Sequence, residues 1–416
     1  MQGRNHLGVV LCCLLMLVLS GCNLDFDPKS SMKTPQLPSD KESLRSVVDQ
    51  YLAHLPGGGT LIRPNDNGSS SLIHVDDLNH DGTSEAVVFY ETPDETIPIH
   101  GAVFENEGKT WVPITEIDGE GQVLESLGFA DLMHNGTTQI VAGYSSGENQ
   151  VQMGLSVYQF ENKKLEKLIE LLPYTHYVIN DLNADGQLDL SVILLKKNEY
   201  STLSTYQFAG RTLNQLDQLK LDSNIDDYYN VVSGKVTSKG DQGIMLDAAI
   251  GNNMGYTQLV IMNKGQLQQV LSQDTTFKDE RIVSDDVNGD GVLEYGILQA
   301  PTGWESYSPD EIPSFHNYYQ WDESGNPKFV WQDYMGIRIP PDLIGKITVD
   351  SKSTPKQYLK FVQIDNDQTV MEIKYFTFSQ WDRMHQDWKL LERTSDRVIG
   401  YRGVGGHSNL GSSEDQ

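Results

Sequence analysis

A short acidic segment that recurs along the chain constrains the fold of this 416-residue protein more than any other feature. Three copies align without gaps, begin at Asp77, Asp181 and Asp286, and share the pattern D-x-N-x-D-G-x-x-[DE]. A fourth copy begins at Asp131 and keeps the glycine, but it ends in Gln139 instead of an acid. Self-similarity of this kind predicts repeated structural units that pack against their neighbours.

The spacing of the copies predicts units of roughly fifty residues. Asp131 follows Asp77 by 54 residues, Asp181 follows Asp131 by 50, and Asp286 lies 105 residues further on, which is about two periods. We therefore expect degenerate copies near Gly234 and Gly345, where the loop pattern is lost. Six units result, three of them with intact loops.

Each unit has the residue pattern of several short strands. Apolar and β-branched residues alternate with polar ones on both sides of each loop, which predicts strands at 72–75, 86–90, 177–179, 190–195, 231–232, 282–283 and 295–298. A hairpin follows, and its first strand often ends in an aromatic-x-aromatic pair, such as Tyr158 and Phe160 or Phe376 and Phe378. Four antiparallel strands in about fifty residues are what one blade of a β-propeller requires. A linear array of separate modules is the alternative, but a single small sheet would expose both faces.

The loops between the predicted strands resemble those of a known family. Its D-x-N-x-D-G-x-x-[DE] loops between strands are similar to the FG-GAP and VCBS repeats of integrin α-like propellers, and the resemblance covers roughly residues 60–392. It implies an all-β fold in which a β-propeller of about six four-stranded blades, with seven as the alternative, occupies residues 60–395. A signal peptide, a flexible tether and one amphipathic helix are expected to precede it.

The intact loops carry the oxygen ligands that Ca²⁺ prefers. The expected ligands are the side chains of Asp77, Asn79, Asp81 and Glu85, of Asp181, Asn183, Asp185 and Asp189, and of Asp286, Asn288, Asp290 and Glu294, with the carbonyls of Thr83, Gln187 and Val292. An EF-hand would place its acid at the twelfth position and flank the loop with helices, and neither condition holds. We expect about three structural Ca²⁺ ions and none at Gly234 or Gly345. The alternative, favoured for the Asp131 loop, is an Asx-turn that uses Asp and Asn only for backbone hydrogen bonds.

The N-terminus has the features of an exported lipoprotein. One basic residue, Arg4, precedes an apolar run at 7–19 that is too short to span a bilayer. The following Leu-Ser-Gly-Cys resembles the bacterial lipobox, which implies that Cys22 becomes an acylated N-terminus and anchors the domain on the extracytoplasmic side of a bacterial membrane. The other cysteines, Cys12 and Cys13, lie inside the signal, so the exported domain has no disulfide.

These patterns divide the chain into five parts. We expect a signal peptide at 1–21, a lipidated tether at 22–38, a helix at 39–56, the propeller at 60–395 and a tail at 396–416. The spacing of Ser39 and Glu42 is that of a capping box, and apolar residues then recur at helical intervals.

Charge and motifs favour binding over catalysis. A net charge of -27 makes nucleic acid a poor partner, because its phosphates require clustered Lys and Arg. The G-x-S-x-G match at 143–147 precedes a predicted strand and not the helix of a nucleophile elbow. The long connection at 301–316 carries Trp304, Tyr307 and Phe315, which as exposed aromatics would suit a glycan or a protein partner; packing over a central channel is equally open. We expect a binding or scaffold lipoprotein, with an envelope hydrolase of glycans or peptidoglycan, using carboxylates from several blades, as the alternative.

Overall fold

A computed structural model of the chain describes residues 39–66, 71–93, 96–108, 110–147, 153–322 and 324–405. Within this part the chain forms one N-terminal helix, α1 (Ser39–His54), followed by six antiparallel sheets in sequence order. The all-β class predicted from the sequence is thereby confirmed. Two short helices, α2 (Gln273–Thr276) and α3 (Phe378–Met384), lie between strands later in the chain.

The first three sheets contain the first three loops of the repeat. Sheet 1 comprises β1 (Thr60–Leu61), β2 (Ile73–Asp76), β3 (Glu85–Glu91), β4 (Ile99–Asn106) and β5 (Trp111–Asp118). Sheet 2 comprises β6 (Val123–Ala130), β7 (Gln139–Ser145), β8 (Met153–Glu161) and β9 (Lys164–Tyr174). Sheet 3 comprises β10 (His176–Asn180), β11 (Asp189–Lys196), β12 (Tyr200–Ala209) and β13 (Thr212–Lys220).

The other three sheets include the degenerate units. Sheet 4 comprises β14 (Asp227–Lys235), β15 (Gln242–Ile250), β16 (Met254–Asn263) and β17 (Gln266–Leu271). Sheet 5 comprises β18 (Tyr295–Gln299), β19 (Phe315–Trp321), β20 (Pro327–Tyr334) and β21 (Ile337–Arg338). Sheet 6 comprises β22 (Ile347–Val349), β23 (Tyr358–Gln363), β24 (Thr369–Phe376), β25 (Lys389–Arg393) and β26 (Val398–Gly403), with β26 between β24 and β25.

Consecutive sheets pack face to face. In β7 every residue is buried, and alternate side chains point to opposite faces, as strand geometry requires. Ile140, Ala142 and Tyr144 pack with residues of sheet 1, whereas Val141 packs with residues of sheet 3. Three further shared clusters join sheet 3 to sheet 4, sheet 4 to sheet 5 and sheet 5 to sheet 6. Strands buried on both faces explain why the second strand of a unit reads as a nearly continuous apolar run.

Helix α1 covers the other face of sheet 1. Leu44, Val48 and Leu52 are buried there against a cluster that includes Val88 and Phe104 of β3 and β4. The amphipathic helix predicted at 39–56 is thus present and ends at His54. The capping box cannot be assigned, because the side chain of Ser39 lies outside the described part of the chain.

Three predictions about the later units are wrong. Residues 282–283 form no strand; only an isolated bridge between Asp285 and Glu294 closes that loop, because the preceding segment bonds to sheet 4 instead. The tail predicted from residue 396 contains β26, which is hydrogen-bonded between two strands of sheet 6. Phe378, expected to end a strand together with Phe376, begins α3, where Thr377 supplies the N-cap.

Candidate functional site

The four acidic loops share one backbone geometry. Each joins the first and second strands of its unit or, at Asp286, follows the bridge of Asp285 with Glu294. The fourth and sixth loop residues have a positive φ in all four copies: His80 and Gly82, His134 and Gly136, Ala184 and Gly186, Gly289 and Gly291. The fourth position, with φ between 51° and 75°, admits His80, His134 and Ala184, whereas φ at the sixth position is 82° to 91°, further from the left-handed helical region that other residues adopt. The glycine at the sixth position of all four loops follows from this sharp turn.

The first residue of each loop organises the backbone. Asp77 Oδ1 accepts a hydrogen bond from the Asp81 amide at 3.0 Å, and its Oδ2 accepts one from Gly82 at 2.9 Å. Asp131, Asp181 and Asp286 make the equivalent bonds in the other loops. These are Asx-turn bonds, and they are present in the intact and the degenerate loop alike. They therefore do not separate a metal site from a simple turn.

The fifth residue makes a second bond of the same kind. Its carboxylate accepts a hydrogen bond from the backbone amide of the seventh residue, at 2.8 to 2.9 Å. The donors are Thr83, Gln187 and Val292, whose carbonyls were predicted as ligands, and the acceptors are Asp81, Asp185 and Asp290. The third residue of each intact loop also contacts this carboxylate. The side-chain amides of Asn79, Asn183 and Asn288 donate to it at 2.9 to 3.2 Å. These bonds bring the first, third, fifth and seventh residues of each intact loop together. Among the described residues, only the Asp286 loop also places its three acidic side chains within reach of one ion.

The ninth-position acid distinguishes two of the loops. Glu85 and Asp189 are completely buried, and each accepts a backbone hydrogen bond with one oxygen, from Leu78 at 2.8 Å and from Leu182 at 2.9 Å. The other oxygen, Glu85 Oε1 or Asp189 Oδ1, is buried without a hydrogen-bond partner among the described residues. A buried, unpartnered carboxylate oxygen is costly unless a cation or a proton meets it.

The Asp286 loop brings three carboxylates together. One oxygen each of Asp286, Asp290 and Glu294 lies within 4.8 Å of the others, so this triad could hold a metal ion. Glu294 is buried, and its Oε1 also accepts a hydrogen bond from Gln320 at 2.8 Å. Oxygen-only ligands at this separation suit hard divalent cations.

Burial shifts the titration of all three ninth-position acids. Burial, and to a smaller extent the nearby loop aspartates, raise the pKa of Glu85 and of Glu294 to about 7 and that of Asp189 to about 6. Backbone hydrogen bonds oppose the shift only in part. Near neutral pH each of these carboxyl groups is therefore poised to exchange its proton for another cation.

The degenerate loop at Asp131 satisfies the same position without a cation. Gln139 is also completely buried, and its Oε1 accepts the Met133 amide at 3.1 Å. Its Nε2 donates to the Thr137 carbonyl at 3.0 Å and to Gln159 Oε1 at 2.6 Å. An amide nitrogen thus fills the place that is left unpartnered beside Glu85 and Asp189. At Gly234 and Gly345 no acidic loop forms: Gly234 lies inside β14, and Gly345 occupies a positive-φ turn before β22.

The aromatic residues of the 301–316 connection are mostly core. Trp304 is 2% exposed and Phe315 is 3% exposed, and both pack in the cluster between sheets 5 and 6. Trp304 also donates its indole N–H to the Val349 carbonyl at 2.8 Å. Of the two alternatives that the sequence left open, exposure is thus excluded for these two aromatics, which pack between sheets 5 and 6 because the connection folds back onto sheet 6. Tyr307 is 41% exposed, and its ring lies 4.6 Å from that of Trp304.

A cavity of about 700 Å³ lies where the first strands of sheets 2, 3 and 4 approach one another. Its lining includes Asp66, Glu125 of β6, Tyr177 of β10 and Tyr229 of β14. Glu125 accepts a hydrogen bond from Asn65 at 3.0 Å and another from the Ser145 hydroxyl. Both oxygens of this carboxylate are thus engaged, which does not favour it as the acid or base of a hydrolase.

Sequence reasoning missed this cavity and also a buried charge pair in sheet 4. Lys278 and Asp247 have no solvent exposure, and several hydroxyl and amide groups surround them. The paired tyrosines at the start of β14, Tyr228 and Tyr229, were a usable signal for the cavity, because aromatic residues of the first strands line it. Lys278 gave no such signal, since it lies in a segment without a repeat pattern.

The membrane-related predictions fall largely outside the described residues. Cys22, the signal peptide at 1–21 and the tether at 22–38 all precede residue 39. In the part that the structure describes, no helix combines the length and the apolar character needed to cross a membrane. The lipid anchor therefore stays a prediction.

Comparisons with known proteins add little. No protein-family model and no curated protein matches the chain. Among solved structures, the X-ray structure of a hypothetical selenium-binding protein from Sulfolobus tokodaii is similar, with 10% identity and a TM-score of 0.31, over 47% of this chain and 53% of that protein. The chain thus spans about half the length of that protein, and a similarity this low carries no argument about fold or function.

Proposed function

We propose that this protein is a lipid-anchored binding or scaffold module whose β-propeller is stabilised by Ca²⁺ and presents a ligand surface outside a bacterial membrane. In this proposal the three intact loops each hold one structural ion, Cys22 carries the lipid, and the ligand is a glycan or a protein. The six sheets form successive blades of the FG-GAP and VCBS type.

One observation carries the calcium part of the proposal. The ninth-position acids Glu85 and Asp189 each leave a buried oxygen unpartnered, whereas Gln139 fills the same position of the degenerate loop with a hydrogen-bonded amide. A simple Asx-turn would need no acid at that position. A divalent cation that also contacts the first, third and fifth side chains would satisfy the oxygen and neutralise the loop carboxylates.

Calcium titration of metal-stripped protein tests this part. We expect about three ions to bind in isothermal titration calorimetry, and one fewer after Asp189→Asn. Asp131→Asn, in the loop that ends in Gln139, is the matched control and should leave the stoichiometry unchanged. Binding of no calcium by folded protein, or an equal loss in the control, would contradict the proposal.

The propeller arrangement rests on how the sheets follow one another. Each of the five junctions between consecutive sheets is an apolar cluster formed by both partners, so the sheets are stacked face to face in chain order. Five of the sheets contain a register shift in one hairpin, as expected of one repeated unit, and the paired strands are β4 with β5, β8 with β9, β12 with β13, β16 with β17 and β19 with β20. Ring closure would bring sheet 6 near α1, and a cysteine cross-link between these two elements would test it.

The lipid anchor is tested by replacing one residue. We expect the full chain to incorporate a radiolabelled fatty acid and to sediment with membranes when it is expressed in a bacterium. Cys22→Ser should abolish both properties, whereas Cys13→Ser, inside the signal, should leave both intact. Membrane association that survives Cys22→Ser without label would argue against the anchor.

Tyr307 is the best placed of the predicted ligand contacts. It lies over the rigid Trp304 ring at the edge of a groove of about 330 Å³, which is also lined by Asp310, Glu311 and Ser353. An exposed aromatic ring flanked by carboxylates and a hydroxyl suits a saccharide, whose C–H face stacks while its hydroxyls form hydrogen bonds. A glycan array should give hits that Tyr307→Ala abolishes and that Phe378→Ala, which removes a similarly exposed ring, preserves. No hits from calcium-loaded protein would contradict the glycan assignment alone.

A further inference from the structure

We propose that the 700 Å³ cavity between the first strands of sheets 2, 3 and 4 binds an organic ammonium ion. This site is separate from the Tyr307 groove and from the acidic loops. The inference depends on the charge, the aromatic rings and the hydrogen bonds of the residues that line the cavity.

The charge of the wall is negative. Asp66 and Glu125 contribute carboxylates, and among the described residues that line the cavity there is no Lys or Arg. His176 also lines the cavity, but its Nε2 lies 3.0 Å from Asp227 Oδ1, which would balance the charge of a protonated ring. The neighbouring cavity of about 490 Å³ differs, since Lys196 and Lys197 line it. A concave, low-dielectric wall of one charge sign concentrates ions of the opposite sign, so a cationic ligand is favoured.

The tyrosines that line the cavity present their rings to a ligand, because their hydroxyls are hydrogen-bonded within the protein. The Tyr174 hydroxyl bonds to Ser126 at 3.0 Å, Tyr228 donates to Gln258 at 3.0 Å, and Tyr229 donates to the Ile282 carbonyl at 2.9 Å. Tyr174 and Tyr228 are also almost completely buried, so the aromatic surface left for a ligand belongs mainly to the half-buried rings of Tyr177 and Tyr229. A saccharide would need free hydrogen-bond partners, whereas an ammonium ion is attracted by aromatic rings and carboxylates together.

The wall is held in place before a ligand arrives. Asn65 and Ser145 fix the Glu125 carboxylate, and Asn230 donates to Asp247 at 2.8 Å and to the Ser284 carbonyl at 2.9 Å. One face of the Tyr229 ring is already occupied by a cation of the protein, because the guanidinium carbon of Arg281 lies 5.5 Å from its ring centre, so Tyr177 is the ring to replace in a test. A site whose groups are fixed by neighbours loses little conformational entropy on binding.

The volume matches a small molecule. Ligand cavities typically enclose about 300 to 1,000 Å³, and this one lies within that range. Choline and spermidine are suitable probes, because both carry an ammonium group and both fit. The neutral compound 3,3-dimethylbutan-1-ol has the shape of choline without its charge, and it therefore isolates the electrostatic contribution.

Calorimetry with calcium-saturated protein tests the inference. We expect choline or spermidine to bind and 3,3-dimethylbutan-1-ol to bind at least about tenfold more weakly. Affinity should fall as salt is raised. Glu125→Gln and Tyr177→Leu should each weaken binding about fivefold. Asp66→Asn should weaken binding too, and because Asp66 is exposed, this replacement should leave the folding of the cavity wall unchanged.

Two results would overturn the inference. One is equal binding of choline and its neutral analogue; the other is no binding of either cation to protein whose circular dichroism and calcium stoichiometry are normal. Because the test is run on calcium-loaded protein, loss of ammonium binding leaves the calcium proposal standing. Conversely, Tyr307→Ala should not change choline affinity, which separates this cavity from the proposed glycan groove.

Discussion

Lys278 Nζ lies 3.5 Å from Asp247 Oδ1, and neither side chain is accessible to solvent. Lys278 also donates to Thr257 at 3.0 Å and to the Ile282 carbonyl at 2.8 Å, while Asp247 accepts the Ser284 amide at 2.6 Å. The pair therefore fastens the segment that precedes sheet 5 to the interior of sheet 4. This fastening explains why residues 282–283 do not form the strand that the repeat predicts.

Removing one partner of this pair should destabilise the protein strongly. Lys278→Met leaves the Asp247 carboxylate buried without its counter-ion, which typically costs about 3 kcal/mol or more. Urea unfolding should show this loss as a lower midpoint. Lys352→Met, at an exposed position, is the control and should change the midpoint little. An unchanged midpoint for Lys278→Met would show that the ion pair contributes nothing to the fold.

Exchanging acid and amide at the ninth loop position should have opposite effects in the two loop types. In metal-stripped protein, Glu85→Gln removes a buried carboxylate and should leave stability unchanged or raise it, whereas with calcium it should lower the melting temperature. Gln139→Glu should cost about 1 to 3 kcal/mol, because an oxygen would replace the Nε2 that donates to Thr137 and Gln159. Thermal melts with and without calcium measure both variants. Equal loss of stability in Glu85→Gln under both conditions would argue against a cation at Glu85.

The sequence predicted the repeated part of the fold well for a physical reason. The loop pattern fixes where a first strand ends and a second begins, so β3, β11 and β18 start within one residue of the predicted positions. The alternation of apolar residues then fixes which strands are buried on both faces. The count of six units agrees with six sheets in the described part of the chain, whereas ring closure stays a prediction.

The sequence was less informative where a residue's partner is distant in the chain. The exposure of Trp304 and Phe315 could not be decided from the sequence because they lie in a long connection, and tertiary packing against β22 and β23 buries them. The cavity carboxylate Glu125 looks like an ordinary strand residue, and only its contact with Asn65, sixty positions earlier, reveals its place. Residue pattern records local geometry, but it does not record which surfaces meet.

The acidic loops should make stability depend on pH in opposite ways with and without metal. Burial raises the pKa of Glu85 and Glu294 to about 7, above the ordinary value of 4.5, so metal-free folded protein binds these protons more tightly than unfolded protein does. The resulting stability is fully present below pH 4.5 and is lost as pH rises through about 7. Calcium requires the ionised form, so the stabilisation it provides should grow over the same interval.

Differential scanning calorimetry between pH 5.5 and 8 measures this dependence. The melting temperature of metal-stripped protein should fall with rising pH, and the increment due to calcium should increase. The double variant Glu85→Gln with Glu294→Gln should flatten the slope of the metal-free protein. An unchanged slope in that variant would assign the pH dependence to other groups.

Helix α1 should be required for the stability of sheet 1. Val48 is completely buried between the helix and the sheet, so Val48→Asp places a carboxylate in an apolar contact and should cost at least about 3 kcal/mol. Asp49→Asn provides the matched control on the exposed face of the same helix. It breaks only the ion pair with Arg45, in which both side chains are about half exposed, and should cost less than about 0.5 kcal/mol. Urea unfolding followed by tryptophan fluorescence measures both variants, since Trp111 lies in the same cluster. If Val48→Asp were as stable as the control, α1 would be an appendage that sheet 1 does not need, and the apolar face of that sheet would have to be covered in another way.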